Sequence, residues 1–425
     1  MITALMIFVF IMGYIAISFE QTLKLNKAAS ALITGVLCWT IYILTSQTPM
    51  VTNAELLHHL GEISSILFFL LGAMTIVELI DIHNGFDIIS QNIRVSSKST
   101  LLFVICALTF FLSALLDNLT TAIVMASLCS KILSEKEDRL WFAGMIVIAA
   151  NAGGAWSPLG DVTTTMLWIG GQITAWIIMK KLFLSSLMAC VIPALIVSFR
   201  FRGRKIAAMP ESVCTPREKR DGKIILFLGF GFLIFVPIFK TLTHLPAFMG
   251  MLLALGLMWV ITTIIHKSED HEIAKKFTVA RALQKVDSPS ILFFLGILLA
   301  VSALHSFGAL KDLAGFLKDT LKNDYLIGVT LGLVSAVIDN VPLVAASQGM
   351  FDLTTYPADH TFWEFLALTT GTGGSAIIIG TAAGVAVMGI ERIGFMWYLK
   401  KISWLALLGF AAGILIFLLQ NYLTG

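Results

Sequence analysis

The chain has 425 residues, of which 57% are hydrophobic and 13% charged, with a mean hydropathy of +0.90 and a formal net charge of +3. Soluble domains carry roughly 45–50% apolar and about 25% charged residues. Apolar stretches run almost unbroken through 1–18, 28–46 and 402–419, and about 20 such residues span a bilayer as helix. The sequence therefore describes an all-α polytopic membrane protein in a lipid bilayer. It excludes a soluble enzyme, a nucleic-acid binder and a secreted disulfide scaffold.

In chain order, ten membrane crossings are predicted near 1–18, 28–46, 62–80, 140–168, 180–199, 223–240, 248–265, 290–309, 362–390 and 402–422. The first is read as a transmembrane helix rather than a signal peptide, because no basic leading region or small-x-small cleavage site accompanies it. Two apolar segments are left over, 101–131 and 326–351, each with an Asp-Asn pair in its middle. About 15 residues flank Asp117-Asn118 on either side, roughly 22 Å of helix per arm against a ~30 Å hydrocarbon core. Each segment reads as a re-entrant hairpin with a polar tip, or else as one long tilted helix with a buried carboxylate. The fourth crossing, 140–168, is expected to break at Gly153-Gly154 and at Ser157-Pro158-Leu159-Gly160-Asp161, since glycine weakens helix and Pro158 removes a donor. The ninth, 362–390, is expected to break at Gly371-Thr-Gly-Gly-Ser375 and at Gly380.

Basic residues give the orientation. With each hairpin entering and leaving on one side and the N-terminus outside, the cytoplasmic loops hold 23 of the 29 Lys and Arg, Lys24, Lys27, Arg94 and Lys98 among them. That satisfies the positive-inside rule. The five cysteines, Cys38, Cys106, Cys129, Cys190 and Cys214, show no metal-ligand spacing and read as packed, reduced thiols.

The sequence also repeats itself. Ser65-Ile-Leu-Phe-Phe-Leu70 recurs as Ser290-Ile-Leu-Phe-Phe-Leu295, Ser113-Ala-Leu-Leu-Asp-Asn118 as Ser335-Ala-Val-Ile-Asp-Asn340, and Asn151-Ala-Gly-Gly154 has a counterpart in Gly371-Thr-Gly-Gly374. Three collinear matches point to duplication. Residues 1–200 form a first transporter repeat, 201–222 a basic cytoplasmic linker and 223–425 a second repeat, inverted because five crossings precede the linker. Inverted repeats with broken helices are the architecture of secondary transporters, with the site at the midplane.

The chemistry is expected where hairpin tips and helix breaks converge. Asp117, Asp161 and Asp339 lie there, and an intramembrane Asp costs about 2.5–3.5 kcal/mol on insertion scales, so each is a functional candidate. The plainer alternative is a structural Asp capping a half-helix. Hard cations take oxygen ligands, which the Asn118, Asn340 and Asn151 amides and the Thr120, Thr163, Thr164, Ser157 and Ser375 hydroxyls would supply. No Arg or Lys falls within these motifs, which disfavours an anionic substrate. Desolvation shifts a carboxyl toward its neutral form, so proton and Na⁺ can compete for one site, and Na⁺ is expected at Asp117, Asp161 and Asp339. Glu78, with His83 nearby, and His305 are candidates for a proton path or pH sensing, against the plainer reading of solvated interfacial groups. His58 and His59 are expected in an external loop, and Glu364 and His360 at the interface.

Leu116-Asp-Asn-Leu-Thr-Thr-Ala122, Asn151-Ala-Gly-Gly-Ala-Trp-Ser-Pro-Leu-Gly-Asp-Val-Thr-Thr-Thr165, Asp339-Asn-Val-Pro-Leu-Val-Ala345, Gly371-Thr-Gly-Gly-Ser375 and Trp397-Tyr-Leu-Lys-Lys-Ile-Ser-Trp404 resemble NhaD-type sodium/proton antiporters of the ion transporter superfamily. The resemblance implies exchange of cytoplasmic Na⁺ or Li⁺ for external H⁺ across a bacterial inner membrane, paired re-entrant hairpins and a homodimer. Its functional set falls on Asp117, Asn118, Thr120, Asn151, Asp161, Thr163, Thr164, Ser335, Asp339, Asn340 and Ser375. No cofactor is expected beyond the transported Na⁺, Li⁺ and H⁺. The repeat is imperfect, because Asp161 aligns with Thr381. Rival readings are a permease of the same fold for arsenite or a small organic solute, an intramembrane aspartyl protease using paired aspartates, and a channel.

Overall fold

The computed structural model describes residues 2–18, 20–91, 93, 95–206, 216–267 and 275–424. Arg94 and residues 207–215 of the expected linker, Cys214 among them, lie outside them. The described residues are nearly all helical. The first half runs α1 (Ile2–Ser18), α2 (Lys27–Thr45), α3 (Pro49–Ile82), α4 (Lys98–Ser113), α5 (Asn118–Ile132), α6 (Lys136–Ala155), α7 (Val162–Ile169) and α8 (Ala175–Arg200). The second runs α9 (Pro216–Thr243), α10 (Ala247–Ile265), α11 (Ser288–Phe307), α12 (Asp324–Val334), α13 (Asn340–Met350), α14 (Thr361–Gly373), α15 (Ala382–Glu391) and α16 (Ser403–Thr424). Further helices link several of these, the longest Ala309–Leu321 between α11 and α12.

Among the described residues seven helices are long and apolar enough to cross a membrane, or eight if the bent pair Ala382–Glu391 and Phe395–Lys401, at 113°, counts as one span. They are α2, α3, α8, α9, α10, α11 and α16. The other expected crossings coincide with short or interrupted helices: α1, α6 with α7, and α14 with α15. The protein is thus a polytopic membrane protein. Helix ends follow the local chemistry. Asn26 caps α2, Pro49 opens α3, Asp287 caps α11 and Gly308, at φ 89°, closes it, as expected for caps and a left-handed stop.

Several sequence expectations are corrected. α3 begins at Pro49, so His58 and His59 lie on a helix and not in a loop. α6 stays helical through Gly153-Gly154 to Ala155, and its break spans 156–161. α14 likewise continues through Gly371 and Gly373 to a 3₁₀ turn, Gly374–Ala376, before α15. These glycines serve close packing instead of helix breaking. A Cβ on Gly153 would collide with the Phe110 carbonyl, and one on Gly373 with the Gly332 carbonyl. Glu364, expected at the interface, is buried among neighbouring helices, 1% exposed. α9 opens at Pro216, inside the expected linker.

The same devices recur on both sides. Ser113 Oγ donates to the Ala150 carbonyl at 2.6 Å, and Ser335 Oγ to the Thr370 carbonyl at 3.1 Å. Gly160 abuts the Ser113 carbonyl and Ala114, while Gly380 abuts the Ala336 carbonyl. Elsewhere Pro193 denies Ala189 its usual i+4 donor in α8. Gly409 of α16 packs onto that carbonyl, where a Cβ would not fit; small residues bring membrane helices together in this way. The four cysteines Cys38, Cys106, Cys129 and Cys190 are free and buried.

Candidate functional site

Both Asp-Asn pairs stand where one short helix ends and another begins. Asp117 is the N-cap of α5: its Oδ1 accepts from the Thr120 amide at 2.8 Å and its Oδ2 from the Thr120 hydroxyl at 2.7 Å. Asp339 caps α13 and accepts from the Val341 amide at 3.2 Å. Asp161, 1% exposed, caps α7 and accepts from the Thr163 amide at 3.1 Å. A carboxylate suits a helix N-terminus because the exposed amides point at it. Capping accounts for one oxygen of Asp161 and of Asp339 and leaves the other for further partners.

Side-chain amides tie Asp161 to the residues that follow Asp117 and Asp339. Asn118 Nδ2 donates to Asp161 Oδ2 and to Asn151 Oδ1, each at 3.1 Å. Asn340 Nδ2 donates to the same Asp161 oxygen at 3.2 Å. Asn151 Nδ2 in turn donates to the Ser375 hydroxyl at 2.9 Å and the Thr381 hydroxyl at 3.1 Å. Six elements of both halves therefore meet in one buried polar network, and buried polar groups persist only when so paired. Tyr398 backs it by donating its hydroxyl to the Ser375 carbonyl at 2.8 Å.

Asp117, Asp161 and Asp339 line a single cavity of about 40 Å³, together with Asn118 and Asn340. Leu70 of α3 and Ser290 and Phe294 of α11 close it, so the duplicated Ser-Ile-Leu-Phe-Phe-Leu segments flank the site from two sides. Its size suits one dehydrated ion or one water. Among the described residues no three acidic, histidine or cysteine side chains cluster tightly enough to clasp one metal ion.

α3 passes two larger cavities at its opposite ends. At its C-terminal end Glu78, Asp81, Asp87, Asp287 and Lys285 line a space of about 440 Å³ that reaches Thr120. At its N-terminal end His58, His59, Glu62, His305, Lys240 and Gln348 line about 620 Å³. Leu70 and Met74, which face the aspartates, lie between. Glu78 and Glu62 each stand about 12 Å along the helix from Leu70, at 1.5 Å per residue.

Not every expected residue reaches the cavity. Thr163 and Thr164 are buried beside Asp161, with the Thr164 hydroxyl 3.5 Å from the Ala155 carbonyl. Ser335 bonds the Gly332 and Thr370 carbonyls and so holds the second tip to α14. His83 is buried in a ring cluster, its Nε2 3.0 Å from His266 Nε2 and its ring beside Phe277. His305 lines the wider cavity, its ring 5.7 Å from that of His59. Two residues had not been expected. Thr381 joins the network, a position that its alignment with Asp161 could have suggested. Lys27, counted in a cytoplasmic loop, is the first residue of α2 and lines the aspartate cavity.

The citrate transporter family (CitMHS) matches residues 7–371. "Sodium/proton antiporter 1" of Arabidopsis thaliana is 46% identical over 97% of the chain and 72% of its own length. "Sodium/proton antiporter 2" of the same plant is 44% identical over 97% of the chain and 98% of its length. The "Na(+)/H(+) antiporter NhaD" of Alkalimonas amylolytica is 31% identical over 97% of the chain and 89% of its length.

Proposed function

The chain belongs to the NhaD-type sodium/proton antiporters, and from that premise we propose that it exchanges cytoplasmic Na⁺ or Li⁺ for external H⁺ by alternating access. It is a transport protein and not an enzyme, so the protease reading falls. The observation that carries the exchange reading is the shared cavity of Asp117, Asp161 and Asp339 midway between two vestibules.

A cation there takes one carboxylate at a time, completed by amide, hydroxyl and backbone oxygens. A proton on the same carboxyl removes the charge that attracts it, and one site visited in turn by either ion gives antiport. Thr120 links Asp117 to the acidic vestibule, which the basic-residue count assigns to the cytoplasm. Glu78 and its neighbours would concentrate cations there. The opposite vestibule, bearing His58, His59 and His305, would deliver protons. The recurrent serine–carbonyl and glycine–carbonyl pairs support two inverted repeats, 1–200 and 223–425, each with a re-entrant hairpin and a broken helix, moving about the site. We further propose ten crossings, an external N-terminus, a homodimer, a role in pH homeostasis, and residence in a bacterial inner membrane.

The citrate-transporter match favours a second reading, a small-solute permease. The cavity argues against citrate itself: three carboxylates would face three more, with one lysine between them. Arsenite or another small neutral solute escapes that objection. Everted vesicles from an antiporter-deficient, sodium-sensitive bacterial host separate the two. With a proton gradient followed by a fluorescent amine between pH 6 and 9, NaCl or LiCl should collapse the gradient. No response to Na⁺, Li⁺ or K⁺ at any pH, with the protein in the membrane, overturns antiport and points to solute transport.

A further inference from the structure

The aspartates do not have their cavity to themselves. We infer that the Lys27 ammonium is a tethered counter-charge that competes with Na⁺ for Asp339. The inference rests on the proposed antiport and assigns a selectivity-setting residue within its site. Lys27 lines the same 40 Å³ cavity as Asp117, Asp161 and Asp339, and its charge acts on Asp339. The ammonium sits 4.7 Å from the centroid of the buried Phe293 ring, and among the described residues it makes no ion pair within 4.0 Å. The aromatic face offers a resting place for a cation drawn back from the carboxylates.

Helix stability does not explain a lysine here. Lys27 opens α2, whose first turn holds no acidic residue, and a cation at a helix N-terminus opposes the macrodipole. Asn26 and Glu20 occupy backbone amides of that turn and leave the ammonium alone: Asn26 Oδ1 accepts from the Ala28 amide at 2.8 Å, Glu20 Oε1 from the Lys27 amide at 3.2 Å. The 40 Å³ is free space beside Lys27 as it stands, room for one dehydrated cation. Na⁺ entering beside Asp339 must therefore bind against the charge of the ammonium, which rests over Phe293. Among the described residues no second lysine or arginine lines the cavity, and at the other tip the Thr120 hydroxyl donates to Asp117. The two tips are thus inequivalent: Asp117 is open to the acidic vestibule through Thr120, and Asp339 is balanced by a built-in cation.

Na⁺ titrations in everted vesicles at pH 8.5, where protons compete weakly, test this. Removing the competing charge in Lys27→Gln should lower the Na⁺ half-saturation by at least ~5-fold, with Lys27→Arg returning it toward the wild-type value. Lys27→Met, which keeps the stem over Phe293, replaces the glutamine variant should the latter fail to reach the membrane. A neutral variant present in the membrane with wild-type or weaker half-saturation overturns the role of Lys27 and leaves antiport standing. Wild-type protein without any Na⁺ response would instead overturn antiport itself.

Discussion

Asn118 and Asn340, one from each tip, donate to the same oxygen, Asp161 Oδ2, at 3.1 and 3.2 Å. One carboxylate thus gathers both tips. In Asp161→Asn a neutral amide faces two amide donors and cannot accept from them as strongly, and its own NH₂ is left to find a partner. A buried unsatisfied polar group costs about 1–3 kcal/mol. Na⁺-driven gradient collapse in everted vesicles should fall at least ~10-fold, with the protein still present in the membrane. Undiminished exchange would remove Asp161 from the site.

The tips themselves should be less forgiving. Asp117→Asn and Asp339→Asn each remove a charge from the cavity while keeping shape and capping ability, because Asn also caps helices. Both variants should reach the membrane and show no gradient collapse with Na⁺ or Li⁺. Retention of exchange in one of them would confine ion binding to the other tip.

The legible parts of this site were those with a contradiction in the sequence. Asp-Asn inside an apolar run, twice, at matching places, has no comfortable explanation in lipid except a protected polar centre, and both pairs meet in one network. Pro158 and Gly160 likewise marked a true break. Gly153, Gly154, Gly371 and Gly373 misled, because glycine signals either a weak helix or a close approach, and spacing alone does not separate the two. Lys27 carried no signal at all. A basic residue at a span end reads as loop charge, and only the tertiary arrangement brings α2 against α11 and Lys27 into the lining of the aspartate cavity. The burial of Glu364 was hidden for a related reason, since only the fold shows that neighbouring helices cover the first turn of α14.

The glycine contacts give a stability test. An alanine at Gly153 or Gly373 would drive its Cβ into a carbonyl of the facing helix, backbone that cannot simply rotate away. Overpacking of this kind costs roughly 1–3 kcal/mol or more. Both variants should show a lower thermal midpoint in detergent and reduced membrane yield. Gly256→Ala, whose Cβ would meet nothing within 4 Å, should leave the midpoint unchanged or raise it slightly.

A second stability element lies away from the site. Glu391, with a side chain 4% exposed, accepts from Arg139 Nε at 3.1 Å and from the Ser130 hydroxyl, joining α15 to α6 and α5. Removing one partner of a buried pair leaves the other charge uncompensated. Because Arg139 is 27% exposed, water offsets part of the loss, and Glu391→Gln should cost about 2 kcal/mol. A fall in the detergent melting midpoint, without change in Na⁺ half-saturation, would match a structural role. A changed half-saturation would show that this pair also reports on the site.

Proton and cation competition for one carboxyl makes a quantitative claim. Where that carboxyl is mostly protonated, each unit fall in pH leaves tenfold fewer ionised sites, so Na⁺ half-saturation should rise by up to ~10-fold per pH unit. Where it is mostly ionised, half-saturation should level off. The exposed Asp352 cannot contribute such a slope between pH 6 and 9. The Thr354 hydroxyl and the Thr355 amide hold its carboxyl down at about 2, so it stays charged throughout. Titrating Na⁺ in everted vesicles at half-unit steps from pH 6 to 9 should therefore trace a curve that is steep at the acid end and flat at the alkaline end. A half-saturation that ignores pH over the whole range would place proton and Na⁺ at separate sites and break the shared-carboxylate mechanism, even if exchange itself persists.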